Sequence, residues 1–84
     1  MLRIVYAKGL WEQIQRLPLP IKIRVLRLVE RLKGWPAVSG AKPLRGSLAG
    51  HYRFRTGDYR LQFRVDGDAI VIEKVGHRDR FYGN

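Results

Sequence analysis

His51-Tyr52-Arg53-Phe54-Arg55-Thr56-Gly57-Asp58-Tyr59-Arg60-Leu61-Gln62-Phe63-Arg64-Val65 alternates polar and apolar residues with a period of two on both sides of Gly57-Asp58. That pattern predicts two antiparallel strands joined by a two-residue turn. Pairing outward from the turn sets Thr56 opposite Tyr59, Arg55 opposite Arg60, Phe54 opposite Leu61 and Arg53 opposite Gln62. Tyr52 then meets Phe63, and His51 meets Arg64. One face of this hairpin is apolar. The other carries Arg53, Arg55, Arg60 and Arg64, with directly paired Cβ atoms about 4.5–5.5 Å apart.

The alternation resumes beyond Asp66-Gly67-Asp68, where Ile70 and Ile72 alternate with Val71, Glu73 and Val75. The second turn centres on Asp66-Gly67 or on Gly67-Asp68. Both registers keep Leu61 and Phe63 on the face of Ile70 and Ile72, and both put Glu73 on the basic face, opposite Arg60 or Gln62. Upstream, Leu2–Tyr6 is a short β-prone run that predicts an edge strand. From about Ala7 the spacing of Leu10/Trp11, Ile14 and Leu17 predicts a short helix, broken at Pro18-Leu19-Pro20. A second helix starts at Pro20 and lines up Ile21, Val25, Leu28, Val29 and Leu32 before Gly34-Trp35-Pro36 ends it. Residues 37–50 are a connecting loop. The expectation is an α+β fold: an N-terminal strand and a two-helix hairpin packed on a small antiparallel sheet, forming one domain over residues 1–84.

The chain has 84 residues, no cysteine and two histidines, which removes thiol chemistry, disulfide scaffolds and any paired metal-ligand spacing. The opening residues are too short for a signal peptide, and no apolar run reaches the roughly 20 residues of a membrane span. A cytoplasmic protein without a membrane role is expected. The formal charge is +10, and twelve of the seventeen cations are arginine. Such charge density seeks polyanions, and arginine's planar fork suits bidentate phosphate contacts. Like charges directly across a ladder destabilise it, so Arg55 opposite Arg60 has no folding rationale. A basic face that is merely solvated is the bland alternative, yet solvated faces usually mix signs. The tail Gly76-His77-Arg78-Asp79-Arg80-Phe81-Tyr82 adds cations, an imidazole and two aromatics, a combination suited to unpaired bases. Of the two aromatics, Phe81 is expected to pack in the core, while Tyr82 suits either role.

Leu44-Arg45-Gly46, then Gly50-His51-Tyr52-Arg53-Phe54-Arg55-Thr56-Gly57-Asp58-Tyr59-Arg60, then Val75-Gly76-His77-Arg78 and Tyr82, resemble the RelE branch of the RelE/ParE toxin superfamily. The resemblance spans nearly the whole chain and includes the strand–helix–helix order. It implies the toxin of a type II toxin–antitoxin pair that enters the ribosomal A site and cuts mRNA. In that reaction a 2′-hydroxyl attacks the adjacent 3′ phosphate, leaving a 2′,3′-cyclic phosphate and a 5′-hydroxyl end. By motif position, Arg60 helped by Arg53 would stabilise the transition state, Arg78 would sit by the leaving oxygen, and Tyr82 would stack on a base. Arg45, Arg64 and Arg80 would bind flanking RNA. Arg55 stands where the branch commonly has a lysine, and a guanidinium is a poor proton acceptor. His77 is the expected acceptor instead, against the reading that it packs structurally beside Gly76. No cofactor or metal is implied. The implied partners are an acidic cognate antitoxin, mRNA and the ribosome. A ParE-like inhibitor of DNA gyrase and a non-catalytic RNA-binding module are the alternatives.

Overall fold

The computed structural model describes residues 2–81. Strand β1 (Arg3–Tyr6) leads into helices α1 (Leu10–Gln15) and α2 (Leu19–Leu32). A two-residue strand β2 (Lys42–Pro43) and a single 3₁₀ turn (Gly46–Leu48) follow. The chain then runs through β3 (His51–Thr56), β4 (Tyr59–Asp66) and β5 (Ala69–His77) to a last helical turn, α3 (Arg78–Phe81).

Helix α2 forms because its apolar residues recur at helical spacing and Pro20 falls in its first turn, where a missing amide hydrogen is harmless. The Pro18 carbonyl accepts the amides of Ile21 and Lys22, both at 2.9 Å, and so starts the ladder. Val25, Leu28, Val29 and Leu32 are buried against the sheet, while Lys22, Arg24, Arg27 and Arg31 lie elsewhere on the helix. Full burial of each such aliphatic is worth about 1.5–3 kcal/mol. With Leu10 and Ile14 of α1 they meet Phe54, Leu61, Phe63, Ile70 and Ile72 in one core. That explains why so short a helix as α1 persists although its cap residue, Gly9, offers no side chain.

The sheet order is β1-β5-β4-β3-β2. The β3–β4 register is the one the alternation predicts, from Thr56↔Tyr59 to His51↔Arg64. Gly57 takes φ +58, the left-handed conformation that the tight turn requires. The β4–β5 turn centres on Gly67-Asp68, since Asp66 pairs with Ala69.

Three features exceed the expectation. β1 joins as an edge strand parallel to β5, with Ile4 beside Ile70, so the sheet is mixed. β2 pairs with β3 inside what reads as a loop, with Lys42 opposite Arg53. β5 carries a bulge: Phe63 pairs with Ile72 but Gln62 pairs with Lys74, leaving Glu73 as the extra residue. The bulge reverses the facing of everything after it. Val75 therefore turns onto the core side opposite Leu61, and Gly76 comes to lie opposite Arg60. Among the described residues, no helix is long and apolar enough to cross a membrane.

Candidate nucleic-acid interface

Helices α1 and α2 cover one face of the sheet, and the register leaves the other largely to polar side chains. Along its first row Arg55 lies across from Arg60, which lies across from Gly76. The second row runs Lys42, Arg53, Gln62, Lys74. In the third, His51 lies opposite Arg64. Arg53, Arg55 and Arg60 thus come together as expected, and β2 brings Lys42 to them. These four cations, with Gly40 and the edge of Phe54, line a shallow depression.

Packing behind the face holds it in place. Trp35, Tyr52 and Phe63 form a ring cluster under β3 and β4 with centroid separations of 4.6–5.4 Å. Arg31 lies over the Phe54 ring at 4.9 Å and donates to the Ser39 carbonyl at 3.0 Å, drawing in the chain before β2. Gly40 sits there at φ +93, and a Cβ on it would come within 3.1 Å of Phe54. Only glycine meets both constraints.

Arg64 does not line that depression but pairs with Glu73. Its Nη1 donates to Glu73 Oε2 at 3.1 Å, while Gln62 Nε2 donates to Glu73 Oε1 at 3.2 Å. His51 Nδ1 lies 2.6 Å from the same Oε1. Burial pushes the Glu73 carboxyl up, but the hydrogen bonds from His51, Gln62 and Arg64 outweigh it and hold it below its usual range. The sequence places Glu73 on the basic face as an ordinary ladder position opposite Arg60 or Gln62, and in the ladder it pairs with neither. The bulge makes it instead the hub of a polar cluster at one end of the face.

At the other end, the C-terminal turn docks on the hairpin. The Arg78 amide donates to the Asp58 carbonyl at 2.7 Å, and Arg78 Nε lies 3.8 Å from Asp58 Oδ1 and 3.6 Å from Asp79 Oδ1. Arg60 Nη1 donates to the Gly57 carbonyl at 3.4 Å, so the same turn gathers Arg60 and Arg78. Phe81 is buried, as expected, but not in the helix-side core. A Cβ on Gly76 would lie 3.8 Å from its ring, which places Phe81 on the arginine face. Lys74, from the same face, donates to the Phe81 carbonyl and sits over its ring.

His77 lands elsewhere. The unbroken alternation puts it with the arginines, but the bulge turns it to the opposite side, across from Tyr59 and edge-on to that ring at 5.4 Å. Its Nδ1 accepts the Asp79 amide at 3.1 Å. Arg80 is exposed and shares a separate depression with Tyr59, His77 and Asp79. Arg45 is exposed just after β2, and its carbonyl accepts Leu48 at 3.2 Å. Tyr82 lies outside the described residues. Among those described, no three of His, Asp and Glu converge as a metal site requires. Sequence reasoning missed Lys42, because a two-residue strand leaves no periodic signal. It missed the His51–Glu73 contact, although the three-residue step from Ile72 to Val75 hints at the bulge.

Comparison with known proteins agrees with this architecture. A family model for the ParE toxin of type II toxin–antitoxin systems (parDE) matches residues 4–82. The chain is 26% identical over 84 residues to Toxin RelE3 of Methanocaldococcus jannaschii, covering 96% of each chain. It resembles the crystal structure of the RelBE2 toxin–antitoxin complex from Mycobacterium tuberculosis with TM-score 0.75 and 29% identity, over 92% of this chain and 98% of that one. It resembles the RelB–RelE antitoxin–toxin complex from Methanococcus jannaschii with TM-score 0.74 and 25% identity, over 94% and 95%. An α+β chain with this sheet order, matched by that family model across nearly its whole length, belongs to the ParE toxin family of type II toxin–antitoxin systems, within the RelE/ParE superfamily.

Proposed function

We propose that this toxin is an endoribonuclease that cuts mRNA in the ribosomal A site. The observation that carries the reading is the solvent-facing group of Lys42, Arg53, Arg55 and Arg60, with Arg78 tied to the adjoining turn. Opposed arginines oppose folding, so a polyanion is the natural ligand of that face. Similarity to Toxin RelE3 and to RelE chains supports the RelE-type action over a bare binding role.

In this reading Arg60 and Arg53 surround the pentacoordinate phosphorus and offset its developing charge, the kind of fixed electrostatic stabilisation worth about 10²–10³ in rate per donor. Arg55 holds the same phosphate as a permanent cation. Arg78 reaches the leaving 5′ oxygen from the turn. Arg45, Arg64 and Arg80 contact flanking phosphates, although Arg64 must share its charge with Glu73. Tyr82 stacks on a base. These guanidiniums supply the positive charge that a divalent ion supplies elsewhere, so the reaction needs no added cofactor. A cognate antitoxin, acidic to match a +10 toxin, keeps the protein inactive; the RelBE2 and RelB–RelE relatives are solved as toxin–antitoxin complexes.

Primer extension on an mRNA translated in a purified system tests the reading. Ribosome-dependent cuts at A-site codons, absent with Arg60→Ala, are expected. Cuts without ribosomes make it a free endoribonuclease. The matched family model favours a second reading, a ParE-type inhibitor of gyrase. Inhibited supercoiling at stoichiometric toxin, with mRNA left intact, would replace the ribonuclease reading with that one.

A further inference from the structure

Removing a 2′-hydroxyl proton on the arginine face needs an acceptor there, and guanidiniums keep their own protons. His77 faces the other way with its Nδ1 lone pair engaged by the Asp79 amide. A neutral ring in that state carries its proton on Nε2 and has no lone pair left to offer.

His51 has the opposite arrangement. It is in the same face as Arg53, two residues along β3 and about 7 Å away. Its Nδ1 is 2.6 Å from Glu73 Oε1, and a carboxylate only accepts hydrogen bonds. The proton of the neutral ring therefore sits on Nδ1, leaving the lone pair on Nε2. Nε2 bonds to none of the described residues, yet no buried side-chain nitrogen or oxygen among them lacks a partner. Nε2 thus meets solvent. The carboxylate is itself fixed by Gln62 and Arg64, so the ring has a set orientation. The charged groups facing it are Arg64 across the ladder, Glu73 from β5, Arg53 on its own strand and Lys42 beside Arg53.

Resting on the ribonuclease reading, we propose that His51, oriented by Glu73, is the general base of the cleavage. Nε2 takes the 2′-hydroxyl proton as the 2′ oxygen bonds to phosphorus. The bond from phosphorus to the 5′ oxygen breaks, and that oxygen takes a proton from water. The imidazolium then returns its proton to the solvent. Glu73 is a positioning residue, holding the tautomer and stabilising the charged ring as a carboxylate does in other carboxylate–imidazole pairs.

The test is single-turnover cleavage on programmed ribosomes across a pH series, alongside binding of an uncleavable 2′-deoxy-substituted RNA. His51→Ala should cut at least about 100-fold more slowly, the usual scale for losing a positioned base, with binding changed less than about threefold. Added imidazole should restore at least about tenfold of that loss. The wild-type rate should rise with pH, and that rising limb should vanish in His51→Ala. Glu73→Gln should lose about tenfold and keep binding. His51→Ala cleaving at the wild-type rate overturns the assignment. So does a loss matched by lost binding and not rescued by imidazole, which marks a structural role. Intact mRNA with wild-type toxin defeats the ribonuclease reading itself, and this role with it.

Discussion

The amide of Arg78 donates to the carbonyl of Asp58 at 2.7 Å, so the C-terminal turn begins at the hairpin turn that also binds Arg60. The link is main chain to main chain and survives loss of the Asp58 carboxylate. That carboxylate lies 3.8 Å from Arg78 Nε, and both side chains are more than half exposed. Exposed pairs of this kind contribute at most about 1 kcal/mol. Asp58→Asn should therefore leave the urea midpoint almost unchanged. It should also tighten binding of uncleavable RNA by a few-fold, because one anion leaves the edge of the face. Unchanged binding would mean that RNA does not reach Arg78.

Arg60→Ala separates function from folding by sign. Its guanidinium faces Arg55 across the ladder, a like-charge pair that costs a few tenths to about 1 kcal/mol. Its bond to Gly57 is long and exposed. Truncation should raise stability slightly while lowering single-turnover cleavage by about 10²–10³. A urea melt and a cleavage time course on the same preparation check both halves. A variant that melts earlier and cleaves normally contradicts both.

The hairpin was legible because its information is local. Gly57-Asp58 sets the turn, alternation sets the faces, and a one-residue slip of β4 would turn Leu61 and Phe63 away from Phe54 and out of the core. Helix α2 was legible for the same reason, through Val25, Leu28, Val29 and Leu32 and the proline at its start. The pairing of Arg3 with Ala69 was not, since a four-residue strand and a partner sixty-six residues further on share no local signal. Nor was β2, where two residues cannot display a period. The site suffered most from one residue. Glu73 is polar and reads as an ordinary outward position, but as a bulge it turns Val75 inward and carries His77 away from the arginines. The same step puts Gly76, in place of Val75, beside Arg60, and gives Phe81 a place to pack.

Glu73 also sets part of the acid response. Burial raises its carboxyl, but the bonds from His51, Gln62 and Arg64 bring it below the usual value. A carboxyl lowered by folding stabilises the protein above its unfolded pKa, roughly 4.3, and that stability is lost as pH falls through the lower folded value. Urea midpoints taken from pH 7 to pH 3 should therefore fall for the wild type and fall less for Glu73→Gln. Asp68, held low by its bond with Arg3, titrates in both proteins and leaves a shared residual slope. Equal slopes would show that the cluster is not formed in solution.

Phe81 links the tail to the face that it flanks. It is 2% exposed, packed where Gly76 leaves the space for it, and capped by Lys74. Truncating a buried phenylalanine in a closed core costs about 3–5 kcal/mol. Here the loss is bounded by the docking energy of a four-residue terminal turn, which can detach without opening the helix-side core. Phe81→Ala should therefore cost less, about 2 kcal/mol, or roughly 8–16 °C in Tm for a domain of this size. Hydrogen exchange should quicken at residues 78–81 and at Lys74, while the amides of Leu28, Leu61 and Ile70 stay protected. Cleavage should drop with the loosening, because Arg78 would keep only its link to Asp58. Faster exchange throughout the core would instead mean that the tail's turn is part of the folding unit and not a docked appendage.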